Sequence, residues 1–333
     1  MNRWGLVLVL VAALLRFAVH AGAATPEGPR LTIVASGGLI TTGPLGEDLQ
    51  VLDGDPRVTI TGLPSWSADG SHLAFAADVD KRTVVGVLEA DGTGLRTFPR
   101  AALISGEPVM APDGRSVAFQ RLKAVKTPPG SDSPFLKSSI WVLDVEDGSV
   151  RRLTRWRGAG FLYPISYSPD GSALVAIYLG YPRLRIVAVD LQRDRIRPLA
   201  LLGDNEFGPT YSPDGSRLAL VRVKYLHTSG LLPARPVSEL LVARADGSGA
   251  SRLLRKKGYI SFPSWDPSGS RLAFTRSPPA KRTDPVGPSL GNKVMEINAD
   301  GTCLRKVFSN PKMTVYGSAW QPGPGREAGP ISC

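Results

Sequence analysis

Apolar and polar positions alternate along most of this chain in short runs, and each run is cut off by a cluster of Gly, Pro, Asp or Ser. A period of two is the signature of strands, and Gly, Pro and Asp supply the turns between them. The chain carries 36 Gly and 29 Pro among 333 residues, too widely spread to be one low-complexity tract. Many short strands joined by tight connections are therefore expected.

The alternation is itself repeated. One phrase is an aromatic or apolar residue, then Ser-Pro-Asp-Gly or a variant, then an apolar strand. It occurs as Trp66-Ser67-Ala68-Asp69-Gly70 before Leu73-Ala74-Phe75, and as Met110-Ala111-Pro112-Asp113-Gly114 before Val117-Ala118-Phe119. Tyr167-Ser168-Pro169-Asp170-Gly171 and Tyr211-Ser212-Pro213-Asp214-Gly215 are close copies. Trp265-Asp266-Pro267-Ser268-Gly269 and the decayed Trp320-Gln321-Pro322-Gly323 complete the set. From Asp69 through Asp113, Asp170 and Asp214 to Ser268 the steps are 44, 57, 44 and 54 residues. That period suits four short strands per unit, the size of a propeller blade.

A second phrase lies between copies of the first: an apolar strand, an Asp-Gly type of turn, then a strand carrying Arg. Val87 to Gly92, Trp141 to Gly148, Leu241 to Gly247 and Met295 to Gly301 are clear copies. Ile186 to Asp190 is degenerate, and Val51-Leu52-Asp53-Gly54 is the earliest. These read as hairpins. Both phrases count to six. They are out of step at the termini: Leu31-Thr32-Ile33-Val34 is a second strand without a first, and Ser318-Ala319-Trp320 is a first strand without a second. The expected architecture is an all-β six-bladed propeller of four-stranded blades. Its ring closes when the C-terminal strand joins the blade built from residues 30–61.

These phrases, in the form W/Y-S-P-D-G-x-x-L-A-F and A-D-G-x-x-x-R-x-L, resemble the repeat of TolB-like β-propellers across residues 30–322. The resemblance implies the propeller fold, a blade type that serves many roles. TolB itself has an N-terminal α/β domain before its propeller; here the repeat starts close behind the N-terminus, so a propeller-only arrangement is expected. A C-terminal tail follows at 323–333.

The first 23 residues read as a secretory leader: Arg3, an apolar run from Gly5 to Leu15, and the small-residue site Ala21-Gly22-Ala23, with an uncleaved anchor as the alternative. The chain is basic, with net charge +11, or +9 once Arg3 and Arg16 leave with the leader. An exported basic protein can meet anionic lipid, polysaccharide or acidic protein, whereas nucleic acid is not expected there. Export also permits a disulfide between the only two cysteines, Cys303 and Cys333, with two free thiols as the alternative.

Candidate chemistry is sparse. Gly287-Pro288-Ser289-Leu290-Gly291 copies a nucleophile-elbow string, but it lies in a Pro-rich loop and no His follows it. His72 and His227 are far apart in sequence and no Cys cluster accompanies them, so no metal site and no cofactor are expected. The turn aspartates recur singly, as turn formers. Trp66, Met110, Tyr167, Tyr211, Trp265 and Trp320 are repeat-equivalent and expected to pack between blades. Arg57, Arg96, Arg195, Arg197, Arg252, Arg305 and Lys306 follow hairpin turns, where charge protects the outermost strand of a blade from edge pairing. Arg151, Arg152, Arg155, Arg157, Arg255, Lys256 and Lys257 exceed that need and are candidate anion contacts.

Long insertions at Arg121 to Ser138, Arg222 to Ser238 and Thr275 to Asn292 share one face with the blade-to-blade loops. A partner-binding face is expected there, formed by Phe135, Trp156, Phe161, Tyr163, Phe207, Tyr225, Tyr259 and Phe262. The function expected is a non-catalytic protein-binding propeller, monomeric, in the periplasm or outside the cell. The alternative is a small-ligand or glycan-binding propeller, or a lyase or lactonase, that uses its central channel.

Overall fold

A computed structural model of the chain describes residues 28–35, 38–52, 55, 57–102, 107–125, 135–154, 161–180, 183–193, 195–199, 205–226, 235–277, 291–323 and 329–333. Side chains are not described at 123–125, 135–137, 180, 183, 225–226 and 235. The leader expected at 1–23 lies outside these residues.

Six antiparallel sheets form a ring. Blade 1 holds Thr59–Ile60 and Ser65–Trp66 as a broken inner strand, then His72–Val79, Arg82–Glu89 and Arg96–Ala102. Blade 2 is Val109–Met110, Ser116–Val125, Phe135–Asp144 and Val150–Arg152. Blade 3 is Phe161–Tyr167, Ala173–Gly180, Arg183–Asp190 and Arg195–Pro198. Blade 4 is Glu206–Tyr211, Arg217–Leu226, Arg235–Arg244 and Ser251–Lys257. Blade 5 is Tyr259–Trp265, Arg271–Ser277, Lys293–Asn298 and Arg305–Ser309. Blade 6 joins both ends of the chain, with Val315–Gln321 inside, then Arg30–Ala35, Gly38–Thr42 and Gln50–Val51.

The closure expected from the out-of-step phrases is present, with Leu31 opposite Trp320, Thr32 opposite Ala319 and Ile33 opposite Ser318. The outer half of blade 6 differs from expectation. Val51 belongs to the outermost strand and does not open a hairpin, because the turn falls earlier, where Gly43 donates to Glu47 O and Gly46 to Gly43 O. Thr59–Ile60 leaves this blade altogether and pairs with Ala77 and Asp78 of blade 1. Two of the three insertions are also not loops from end to end. The ladder in blade 2 runs on to Val125 opposite Phe135, and that in blade 4 to Leu226 opposite Arg235. Both are long β-ribbons, because alternation continues past the point where the other blades turn back.

Each sheet is apolar on both faces, and the core is six separate clusters, one per seam between neighbouring blades. Ala74, Ala118, Ala219 and Ala273 occupy the same repeat position and are fully buried, small enough for the blades to converge toward the axis. The Asp-Gly turns carry out the role read from the sequence. Asp170 accepts from Ser168 Oγ, Ser172 N and Ser172 Oγ, and Asp214 repeats the pattern with Ser212 and Ser216. These hydrogen bonds, that from the Ser212 hydroxyl foremost, hold the Asp214 carboxyl down at about 2. Gly70 is a case in which no other residue fits: its φ is +70°, and a Cβ there would lie 1.9 Å from Pro322 O of blade 6.

Residues 329–333 of the tail lie against blade 5. Asn298 grips Ile331 through both its N–H and its C=O, at 2.7 and 2.9 Å, and Cys333 is disulfide-bonded to Cys303. The bridge closes a 30-residue separation that includes the inner strand of the closing blade. Cross-linking a loop of that length stabilises a fold by about 3.5 kcal/mol through the unfolded state. Cys333→Ser is therefore expected to lower Tm by about 5–10 °C in a calorimetric scan. An unchanged Tm would show that the tail adds nothing to closure.

Candidate binding site in the central channel

The inner strands of all six blades surround an axial cavity of about 690 Å³. An inner strand bonds to one neighbour only, so its other edge faces this channel with no strand to pair it. The sequence deals with that edge in two ways. Pro64, Pro108 and Pro263 line it at equivalent positions, where a proline has no N–H to satisfy. One residue farther along, hydroxyls cross to the next blade. Ser65 Oγ accepts from Met110 N at 2.9 Å, Ser264 Oγ from Trp320 N at 3.3 Å, and Ser166 Oγ from Tyr211 N at 3.4 Å. At the Asp-Gly end Pro112, Pro169, Pro213, Pro267 and Pro322 form a collar.

The repeat-equivalent aromatics serve as core and lining together. Trp66, Met110, Trp265 and Trp320 are buried in the seams, and Tyr167 and Tyr211 are half-buried; all six border the channel. Arg217 lies over the Trp265 ring at 4.6 Å and Arg271 over Trp320 at 4.9 Å. Burial pushes both tyrosine phenols up, so they remain protonated donors.

The opposite mouth, on the face shared by the ribbons, is irregular. Inner strands slip register between Pro164 and Ser166, Phe207 and Thr210, and Ser261 and Ser264. These bulges take one residue out of alternation, Gly208 at φ +57° in blade 4 and Phe262 at φ +54° in blade 5. A left-handed Phe costs about 1–2 kcal/mol where its repeat partner is a glycine. Leu63 and Glu107 occupy the corresponding places in blades 1 and 2. Leu63 leans across Gly317, where a Cβ would come within 2.1 Å of it, and Glu107 folds over Gly62. Glu107 Oε2 accepts from Leu63 N at 2.8 Å, and burial pushes its carboxyl up to about 7. No sequence phrase singled out Leu63 or Glu107. Each follows an otherwise ordinary strand, and only the ring brings them together.

Of the residues expected on the partner face, Phe161 and Tyr163 stack with ring centroids 6.2 Å apart, and Phe207 is exposed. Phe262 lines the channel mouth. Tyr259 is buried in the seam between blades 4 and 5 and offers no surface, because its strand starts within the core. Phe135 and Tyr225 are placed by backbone only, and Trp156 lies outside the described residues. Among the candidate anion contacts, Arg151, Arg152, Arg255 and Lys257 are exposed and Lys256 is half-buried, while Arg155 and Arg157 are not described. His227 and Ser289 are likewise outside the described residues. His72 Nδ1 is 2.7 Å from Ser71 Oγ, but Asp69 pairs with the two serines and not with the imidazole. The same Ser-Asp-Ser turn recurs at Asp170 and Asp214 without a His, so it is turn chemistry. Among the described residues no group of three His, Cys, Asp or Glu side chains converges as a metal site.

Glu107 gives the mouth a pH response. Its carboxyl is raised in the folded chain, so the associated stability is present in full below about pH 4.5 and is lost as pH rises through about 7. Glu107→Gln should remove this slope, worth on the order of 2 kcal/mol between pH 5 and pH 8. Urea unfolding of both proteins at the two pH values measures it; equal slopes would contradict the assignment.

A family model described as the TolB beta propeller domain matches residues 57–269. No curated protein sequence matches the chain. Among solved structures, TolB from Acinetobacter baumannii is 18% identical with a TM-score of 0.64, covering 94% of this chain and 70% of that one. The putative TolB from Agrobacterium tumefaciens is 19% identical with a TM-score of 0.58, covering 87% and 98%. A chain of a nidogen/laminin complex is 16% identical with a TM-score of 0.61, covering 88% and 98%. At such identities the likeness is one of fold. With the family model spanning more than half of its length, this chain belongs to the TolB β-propeller family.

Proposed function

We propose that this protein is a non-catalytic binding propeller of the cell envelope or extracellular space, holding a protein partner at the channel mouth on its ribbon-bearing face. The observation that carries this reading is the pairing of a strained, half-exposed Phe262 with Leu63 and Glu107 around one opening. Strain held at a single blade of a repeat points to a use for that side chain. Among the described residues the channel lining contributes three ionisable groups, Glu107, Tyr167 and Tyr211, among apolar, proline and hydroxyl side chains. That set suits recognition better than proton transfer, which calls for two groups of separated pKa in reach of one substrate. Export is supported by the leader pattern from Arg3 to Ala23 and by the basic charge. A second reading, a small ligand or glycan within the channel, is favoured by the cavity volume alone, which lies in the usual ligand range.

A photo-reactive phenylalanine analogue at position 262 should cross-link a protein from envelope extract, whereas the same group at Asp170, on the opposite face, should not. With the photo-reactive group placed instead at Phe207, exposed on the same face, Phe262→Gly should abolish the adduct while leaving stability unchanged or raised by about 1 kcal/mol, since the strain is released. Equal labelling from both positions, or none from either, would overturn the reading. A thermal shift with an oligosaccharide and no protein adduct would favour the second one.

A further inference from the structure

Blade 4 carries a row of charge that runs across the whole sheet. Glu206 lies opposite Arg222, Arg222 opposite Glu239, and Glu239 opposite Arg255, one residue from each strand. Directly opposed side chains share a face of the sheet, so the row alternates acid and base from the inner strand to the outermost. Arg222 binds Glu206 Oε1 through Nε and Nη2 at 3.1 and 2.6 Å. Glu239 is reached by Lys224 at 3.2 Å, Arg252 at 3.3 Å, and Arg222 and Arg255 at 3.9 Å.

Arg252 and Arg255 are three residues apart, and strict alternation would put them on opposite faces. A bulge opposite Leu240 and Leu241 takes Leu253 out of register and brings both to one carboxylate. The two glutamates are 2–3% exposed and Arg222 16%, but Lys224, Arg252 and Arg255 are 50–55% exposed. Burial works against the Glu239 charge, yet Lys224 and Arg252 hold its carboxyl below the usual range. The site is thus a positive surface mounted on a buried acidic frame.

The fold does not need this row. Blade 5 has Ile260, Arg276, Lys293 and Ser309 in the same places, and blade 3 has Leu162, Tyr178 and Arg185. Charge-for-apolar exchange at a buried position adds little stability. Four cations against two carboxylates also exceed what neutralising the frame requires. The outermost strand here, Ser251–Lys257, spans seven residues, and among the described residues no strand pairs with its outer edge. Outermost strands in blades 2, 3, 5 and 6 have two to five residues; that of blade 1, Arg96–Ala102, also has seven but is interrupted by Pro99.

We infer that Ser251–Lys257 is a docking edge for an extended acidic peptide segment, which adds as a further strand while its carboxylates meet Arg252 and Arg255. This rests on the reading of the chain as a protein-binding propeller and names the chemistry of a partner segment. A strand edge matches a polypeptide, because alternate residues offer backbone groups to it and side chains to one face. A polysaccharide has no such repeat. A flat membrane offers a strand edge no backbone donors and acceptors at strand spacing.

The probe is a fluorescent seven-residue peptide of alternating Glu and Thr, followed by anisotropy with the intact protein. Binding is expected at low salt, weakening about tenfold between 50 and 300 mM salt and at least about tenfold in Arg252→Glu/Arg255→Glu. A peptide of the same charge with Pro at the Thr positions lacks the backbone donors and should bind at least about fivefold more weakly. Equal affinity for the Pro peptide, or equal and substitution-sensitive binding of polygalacturonate or of anionic vesicles, would overturn the strand-addition proposal. Unchanged binding to the double variant would also overturn it. If the double variant does not keep its Tm, Arg252→Gln/Arg255→Gln and the salt and Pro-peptide series on the unaltered protein decide the matter. Phe262→Gly should leave this peptide bound, so failure of the channel-mouth reading is separable from failure here.

Discussion

A strand can satisfy its backbone through two neighbours, and a sheet can bury both faces only when something lies against each. A ring of blades meets the second condition with no end blade, provided that the last blade meets the first. Here that meeting depends on Val315–Gln321 pairing with Arg30–Ala35, which builds blade 6 from the two ends of the chain. Every seam then has a partner on both sides, including the cluster of Val34, Leu39 and Trp66 and the cluster of Ile33, Val315 and Trp320. Gln321 Nε2 donates to Gly70 O, and Trp66 Nε1 to Thr32 Oγ1, so polar groups also cross from blade 6 to blade 1. The disulfide and the Asn298 clamp lie just past this strand, where they limit fraying of the element on which closure depends.

The first condition explains the channel. Six inner strands leave six unpaired edges around one axis, and water or ligand could satisfy them. Proline and serine do so from within the chain, by deleting donors at one level and bridging them to the next blade at another. The result is a lining with few groups left to bind polar ligands. What departs from the repeat is the shape of the mouth and the few residues there.

Most of the fold was legible in the sequence because a repeat states each structural requirement several times. Asp-Gly recurs because the turn needs a left-handed residue beside a side chain that can bond its own backbone, and Asp170 and Asp214 show both parts. Legibility failed where the repeat is degenerate. Blade 6 has no Asp-Gly hairpin, so Val51 was assigned to the wrong side of a turn, and Thr59–Ile60 to the wrong blade. Tyr259 reads as a loop aromatic because its strand begins immediately after Gly258, which hides its burial. The mouth was legible only in part: Phe262 stands out as an aromatic near Pro263, but Leu63 and Glu107 look ordinary until three blades bring them to one opening.

A repeat protein contains its own controls, since equivalent positions have the same backbone task. Phe262 and Gly208 share a bulge and nearly the same φ, yet only glycine adopts it without cost. Glu239 and Lys293 share a strand position, yet only Glu239 is surrounded by four cations. Neither departure is required for closure, because neighbouring blades close without it. Selection on folding alone would favour the simpler alternative at both places: glycine in the bulge, and an apolar pair in the row. Both departures also lie on the side of the ring that carries the long ribbons, away from the regular Asp-Gly turns. The physical asymmetry of the molecule is therefore one between a face that repeats and a face that does not, and the proposed recognition is assigned to the face whose residues the fold leaves unconstrained.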